Sequence, residues 1–173
     1  QYDTSFENLN DLLKGISITR ELTDRTLDAI MSFGETLSLL TAFHYLNCNG
    51  IRLIQLNSTD VIITDDSFGS ARPILDICED NIKSKAMPLF GEYNIVLTQG
   101  FVAANRFGET TTMGIESSNL TAAIYAKYLN AEACIIYTDV EGIRSADPKL
   151  YADTVVIPNL SYEQAYLLGV NGL

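Results

Sequence analysis

Two polar stretches in the second half of the chain have the residue types of a phosphate-binding site. Residues 108–114 read GETTTMG, and residues 138–142 read TDVEG. Glycines let the backbone approach an anion, hydroxyl groups donate hydrogen bonds to it, and a helix N-terminus adds partial positive charge. The sequence therefore predicts two phosphate-facing loops, the first of them a turn bounded by glycines. On this pattern alone, a nucleotide loop and ordinary polar turns are equally open.

The segment between these loops predicts one helix and one strand. Ser118 and Asn119 open an alanine-rich helical stretch, and residues 133–137 (ACIIY) predict a short buried strand. Ligands of open α/β sheets bind beyond the carboxyl ends of the strands. Thr138 and Asp139 follow the predicted strand directly, so they fall where a ligand would bind.

The rest of the chain alternates predicted helices and strands. Thr23 is a predicted N-cap for a helix over residues 24–32, which Gly34 interrupts before it resumes over 35–47. The other predicted elements are strands at 51–56, 61–64, 93–98 and 155–157, and helices at 74–89 and, after a Ser161 cap, from 162 onward. This alternation predicts a three-layer α/β/α sandwich with a largely parallel sheet.

Composition narrows the possible partners. The chain has 173 residues, of which 47% are hydrophobic, and its formal net charge of −11 argues against nucleic acid or an anionic membrane as a partner. No apolar run approaches the ~20 residues that span a bilayer. A single histidine, His44, and three widely spaced cysteines argue against a metal cluster and favour reduced thiols in a cytoplasmic protein.

Six segments, in order along the chain, resemble the aspartate kinases of the amino-acid kinase superfamily. They are residues 32–35 (SFGE), 99–102 (QGFV), 108–114 (GETTTMG), 137–143 (YTDVEGI), 146–149 (ADPK) and 157–165 (IPNLSYEQA). So many ordered matches are more specific than one glycine motif. The resemblance implies an amino-acid kinase fold and ATP with Mg²⁺. It also implies phosphorylation of L-aspartate, the entry to lysine, threonine and methionine synthesis.

The resemblance also predicts the limits of the domain. Nothing before Thr23 resembles the lysine loop with which aspartate kinases begin, and a second lysine would follow Leu173. We therefore expect a partial kinase domain, with residues 23–173 as its family-like core and 1–22 as a polar or helical lead-in. A homo-oligomer is compatible with this interpretation.

The nucleotide side of the implied site consists of Thr138, Asp139, Arg144 and Lys149. Arg144 stands where many relatives have an aromatic residue, and Lys149 stands where they usually have arginine. Lysine keeps the positive charge but loses the planar, two-pronged donor of arginine. The alternative is that Asp139 and Asp147 only cap turns.

The acceptor side is assigned by the same resemblance. Glu35 matches the acidic residue that receives the substrate ammonium, and Phe101 matches the aromatic residue beside it. Thr112 and Ser118 match hydroxyl residues near the substrate. Asn119 stands at the position of an aspartate that organises the catalytic lysine.

The acceptor side departs from the family over six residues. Aspartate kinases carry Gly-Arg-Gly-Gly-Ser-Asp, whereas residues 114–119 read GIESSN. Ile115 replaces the arginine that clamps the aspartate carboxylate, and Glu116 adds an anion where a glycine left room. Loss of one partner from a buried charge pair costs on the order of 2–5 kcal/mol, so these changes predict an impaired acceptor site.

Three hypotheses follow. The first is an aspartate kinase with an altered acceptor site, in which Arg106, or else Arg20 or Arg52, supplies the missing clamp. The second is a catalytically degenerate module that binds nucleotide and acts through association. The third is a related kinase with another acceptor, which the TTTMG and TDVEGI segments disfavour.

Overall fold

The computed structural model describes residues 2–138, 140–147 and 150–170. Its helices are α1 (Tyr2–Thr19), α2 (Asp24–Cys48), α3 (Leu75–Asn81), α4 (Ser118–Tyr128) and α5 (Tyr162–Val170). Its strands are β1 (Leu53–Gln55), β2 (Ile63–Thr64), β3 (Ile95–Leu97), β4 (Val102–Asn105) and β5 (Thr110–Thr112). Short 3₁₀ turns cover Ser58–Asp60 and Met87–Gly91, and a π-helical turn covers Ile82–Ala86. The chain divides into two compact units, Gln1–Cys134 and Ile135–Leu173.

The first unit contains two small sheets with parallel pairing. Strands β1 and β3 pair in parallel, and β2 pairs in parallel with β4. Strands β4 and β5 form an antiparallel hairpin in which Val102 faces Thr112. The connections between the parallel strands contain helical segments, which such crossovers require. The predicted α/β class with parallel pairing is confirmed.

Helix α2 is the longest element, and it begins where the sequence predicted. The Thr23 hydroxyl accepts a hydrogen bond from the N–H of Thr26 at 3.2 Å, so Thr23 is the N-cap. The predicted break at Gly34 is wrong, because the helix continues through it to Cys48. One interior glycine costs only about 1 kcal/mol, and burial of Leu39 and Leu40 on the same helix offsets that amount.

The predicted glycine-bounded turn at 108–114 is also wrong in its centre. Residues Thr110–Thr112 form β5, and Thr111 and Thr112 are buried. Threonine is β-branched and fits a pleated, half-buried surface, and β4 supplies the pairing partner. Only the turn at Gly108, with φ +79°, and the turn that begins at Gly114 remain.

Residues 133–137 do not form the predicted buried strand. They have no strand assignment, and Ile135, Ile136 and Tyr137 are exposed. A strand exists only when its backbone groups pair with a neighbour, and no described residue pairs with this segment. The predicted strand at 155–157 is reduced to a single bridge between Val156 and Arg144.

Helices lie near both ends of the described residues. The lead-in is helical from Tyr2 to Thr19, and it packs on α2 through a hydrogen bond from the Tyr2 hydroxyl to Thr41 Oγ1 at 3.1 Å. Ser161 precedes α5, and its side chain accepts from the N–H of Gln164 while the Gln164 side chain accepts from the N–H of Ser161. This reciprocal pair is a capping box.

The core of the first unit lies between the helices and the three-stranded sheet. Its buried members are Val61, Ile62, Cys78, Ile82, Ala86, Ala103, Met113, Ile124 and Tyr128. Burial raises the pKa of the Cys78 thiol, whereas Cys48 and Cys134 are exposed. Among the described residues, no helix combines the length and the apolar character needed to cross a bilayer.

Tyr125 on α4 gives the first unit a predicted sensitivity to alkaline pH. Burial raises the pKa of Tyr125 to about 12 from 10.0, and the nearby Thr98 hydroxyl opposes this rise without reaching hydrogen-bonding geometry. A raised pKa means a stabilising contribution that is complete below pH 10 and lost as the pH rises toward 12. Over that pH interval we expect the unaltered chain to lose on the order of 2 kcal/mol of its free energy of unfolding through Tyr125, and we expect Tyr125→Phe to avoid this loss.

The measurement is urea denaturation at several pH values between 9 and 12. Tyr125→Phe should be close to neutral at pH 7, because the buried hydroxyl that it removes has no hydrogen-bond partner among the described residues. Tyr45→Phe, at an exposed side chain of the same unit, is the matched control and should keep the wild-type pH dependence. Identical pH dependence in all three proteins would contradict the prediction.

Candidate functional site

A fully buried carboxylate on α2 joins three segments of the first unit. Asp28 Oδ1 accepts from the Thr112 hydroxyl at 2.6 Å. Asp28 Oδ2 accepts from the N–H of Thr112 and from the N–H of Gly69, both at 2.9 Å. The side chain is inaccessible to solvent, so these three donors replace its hydration. Sequence reasoning missed Asp28; its spacing of seven residues from Glu35, which places both on one helix face, was the available signal.

The loop at residues 65–73 is shaped by its own first residue. Asp65 Oδ1 accepts from the N–H of Arg72 at 2.9 Å and from the N–H of Ser67 at 3.2 Å. The Arg72 N–H is the main cause that lowers the pKa of Asp65. Ala71 then donates its N–H to the carbonyl of Thr112 at 2.9 Å, which fixes the loop along the end of β5.

Gly100 lets the segment after β3 approach the start of α4. A Cβ atom at Gly100 would lie 2.7 Å from Ser118 Cβ and 2.8 Å from Ser118 Cα. Phe101 follows with φ +66°, and its carbonyl accepts from the N–H of Met113 at 3.0 Å. Two predicted acceptor residues, Phe101 and Ser118, are therefore brought together from segments well separated in sequence.

Thr112 on β5 and Glu35 on α2 lie in different environments. The side chain of Thr112 is only 1% exposed, and its hydroxyl, N–H and carbonyl all take part in hydrogen bonds within the protein. These bonds connect Thr112 to α2 and to the loop at 65–73. Glu35 is half-buried on α2, and none of the described residues forms an ion pair or a hydrogen bond with its carboxylate.

The turn at residues 114–117 carries two of the departures from the family pattern, Ile115 and Glu116. Gly114 has φ +90° and Glu116 has φ +63°, a left-handed conformation that costs a non-glycine residue about 1–2 kcal/mol. Ile115 is 93% exposed. The Ser117 hydroxyl donates to the carbonyl of Gly114 at 2.7 Å, so it does not cap α4. Ser118 and Asn119 are exposed at the start of that helix.

Arg106 does not lie near this turn. It follows β4, at the far end of the hairpin from the Val102–Thr112 pair. At about 3.3 Å per residue, it is roughly 13 Å from that pair, farther than an arginine side chain extends. It lines a separate cleft of about 400 Å³ with Lys85 and Asp60. The structure therefore argues against Arg106 as the substitute clamp.

Arg144 in the second unit is engaged within its own loop. Its Nε donates to Thr154 Oγ1 at 2.8 Å, and its Nη2 donates to the Thr154 carbonyl at 2.6 Å. Its Nη1 lies 3.4 Å from Glu141 Oε2. Backbone bonds from Ser145 to Val155 and from Ile157 to Ile143, together with the Arg144 contacts, join residues 143–145 to residues 154–157.

Of the other residues predicted to bind nucleotide, the structure describes only Thr138. Thr138 is an exposed residue of the second unit, while Asp139 and Lys149 lie outside the described residues. Within the part of the chain that the structure describes, no group of three or more histidine, cysteine, aspartate or glutamate side chains could hold a metal ion.

Comparison with known proteins decides the family. The model of the amino acid kinase family matches residues 2–173. The chain belongs to the amino acid kinase family. Within it, the resemblance to aspartate kinases is confirmed: the chain is 33% identical over 175 residues to the chloroplastic aspartokinase 1 of Arabidopsis thaliana, covering 98% of this chain and 30% of the relative.

Two further comparisons agree. The chain is 34% identical to the aspartokinase of Chlamydia muridarum, covering 83% of this chain and 32% of that protein. The crystal structure of Escherichia coli aspartokinase III in complex with aspartate and ADP has a TM-score of 0.84 at 28% identity, covering 90% of this chain and 34% of the crystallised one. The present amino acid kinase chain thus spans about a third of the length of these relatives.

Proposed function

We propose that this chain carries acceptor and nucleotide regions of an aspartate kinase, which converts ATP and L-aspartate to ADP and 4-phospho-L-aspartate for lysine, threonine and methionine synthesis. The observation that carries the proposal is the approach of Gly100 to Ser118, which joins Phe101 to the start of α4. The likeness to the E. coli aspartokinase III complex, a protein crystallised with aspartate and ADP, supports it.

In this proposal, the first unit holds the amino acid. Glu35 would accept the substrate ammonium, because its carboxylate is half-buried and uncommitted among the described residues. The start of α4, whose N-terminal amides have no side-chain cap, would favour a nearby anion. Ser118 would donate a hydrogen bond there, and Asn119 would offer an amide where the family has a carboxylate.

The chemistry would be a displacement at phosphorus. An oxygen of the aspartate side-chain carboxylate would bond to the γ-phosphorus, and the bond from that phosphorus to the β–γ bridging oxygen would break, releasing ADP. Mg²⁺ bound with the nucleotide would neutralise phosphate charge. Thr138, Asp139 and Lys149 would hold the nucleotide, whereas Arg144 would hold its own segment against Thr154.

The altered acceptor turn favours weak aspartate binding by this chain. Exposed Ile115 cannot pair with a carboxylate, and Glu116 repels one. These same residues support the second candidate function, a degenerate module that binds nucleotide and acts through association. The two candidates differ in one measurable property, which is specific binding of L-aspartate.

Isothermal titration of the chain with L-aspartate and with ATP–Mg²⁺ tests the proposal. We expect weak aspartate binding that Glu35→Gln reduces by roughly tenfold or more, since it removes the charge that faces the ammonium. Glu92→Gln, an exposed position before β3, makes the same charge change and should leave aspartate affinity unchanged. ATP–Mg²⁺ binding without any aspartate binding would favour the degenerate module.

A further inference from the structure

Asp28 holds a position from which it can set the geometry of the acceptor site. Its three hydrogen-bond donors come from the loop at 65–73 and from the end of β5, whereas Asp28 itself lies on α2. No described cation forms a salt bridge with Asp28. Its buried charge therefore depends on these donors, and their arrangement is fixed by it.

The segments that Asp28 joins support the turn at 114–117. Thr112, which gives Asp28 two of its hydrogen bonds, is two residues before Gly114. Gly69, which gives the third, packs behind the turn: a Cβ atom at Gly114 would lie 3.7 Å from the Gly69 carbonyl oxygen. A displacement of Asp28 would therefore weaken two supports of the turn, the end of β5 before it and the loop at 65–73 behind it.

Helix α2 also carries Glu35, seven residues and about two helical turns after Asp28. An α-amino acid bound at the proposed site must reach both Glu35, through its ammonium, and the region of the turn, through a carboxylate. We propose that Asp28 is a positioning residue, which fixes α2 and its Glu35 at the correct separation from the turn at 114–117. This inference rests on the proposed function.

Adjacent threonines on β5 provide a matched test of this role. Thr112 donates its hydroxyl to Asp28, whereas Thr111 shares a hydrogen bond of 2.7 Å with Thr64 on the opposite face of the strand. Both side chains are fully buried or nearly so. Thr112→Val and Thr111→Val each remove one buried hydroxyl, so a merely structural role predicts similar effects from the two.

We expect Thr112→Val to weaken L-aspartate binding by roughly tenfold without changing ATP–Mg²⁺ binding. Thr111→Val should lower the thermal midpoint by a similar amount yet leave aspartate affinity unchanged. Thr112→Ser, which keeps the hydroxyl, should retain wild-type affinity. Asp28→Asn, which places an amide N–H against a backbone donor, should accelerate hydrogen exchange at Gly69 and across 112–117.

The outcomes separate this inference from the proposed function. Equal effects of Thr111→Val and Thr112→Val on aspartate affinity would overturn the positioning role. So would unchanged exchange at Gly69 and 112–117 in Asp28→Asn. Failure of the unaltered chain to bind aspartate would count against the proposed acceptor site itself. Faster exchange in Asp28→Asn would then identify Asp28 as a structural residue only, which also overturns its positioning role.

Discussion

Gly100→Ala is expected to abolish aspartate binding and to destabilise the first unit. The new Cβ would lie 2.7 Å from Ser118 Cβ and 2.8 Å from Ser118 Cα. Because one of these atoms belongs to the backbone of α4, a change of rotamer cannot relieve the clash, and the helix or the segment after β3 must shift. Overpacking of this kind costs about 1–3 kcal/mol. The displacement would separate Phe101 from Ser118.

Urea denaturation and titration with L-aspartate measure the two effects. Gly91→Ala is the matched control, because no heavy atom lies within 4 Å of a Cβ built there and its φ is not positive. The control should leave both stability and affinity within a small margin of the unaltered chain. Wild-type aspartate affinity in Gly100→Ala would show that the approach of Gly100 to Ser118 does not define the acceptor site.

The combined change Ile115→Arg, Glu116→Gly and Asn119→Asp is expected to strengthen aspartate binding by more than the sum of the single changes. The first change would supply a guanidinium for the carboxylate, and the side chain of Ile115 is exposed enough for a longer one to replace it. The second would remove a repelling charge and relieve the left-handed backbone at φ +63°. The three positions lie within one turn and the start of one helix, so their effects should couple.

Glu116→Gly alone should raise the free energy of unfolding by about 1 kcal/mol, which urea denaturation can detect. Phe107→Arg controls for added positive charge. Phe107 is 81% exposed, and it lies in the turn of the β4–β5 hairpin, at the end remote from residues 114–117. That variant should leave aspartate affinity unchanged. Equal gains from Phe107→Arg and Ile115→Arg would mean that net charge, rather than a carboxylate clamp, controls binding.

Features that depend on a few neighbouring residues could be predicted from the sequence. The Thr23 cap, the Ser161 capping box and the end of α2 at Asn49 and Gly50 each involve contacts within about one helical turn. The alternation of helices and strands gave the α/β class for the same reason. The ordered family segments gave the amino acid kinase family, because they preserve residue types that a backbone conformation or a ligand requires.

Only the tertiary structure decided which polar and apolar segments would pair. Residues 110–112 form a strand because β4 lies beside them, whereas the more apolar residues 133–137 have no partner among the described residues. The Asp28 carboxylate can be buried because hydrogen-bond donors 41 and 84 residues away along the chain converge on it. Arg106 follows β4 at the end of the β4–β5 hairpin that is opposite the acceptor turn. Sequence patterns encode local preference, but strand pairing and burial of charge depend on groups that meet only when the chain folds.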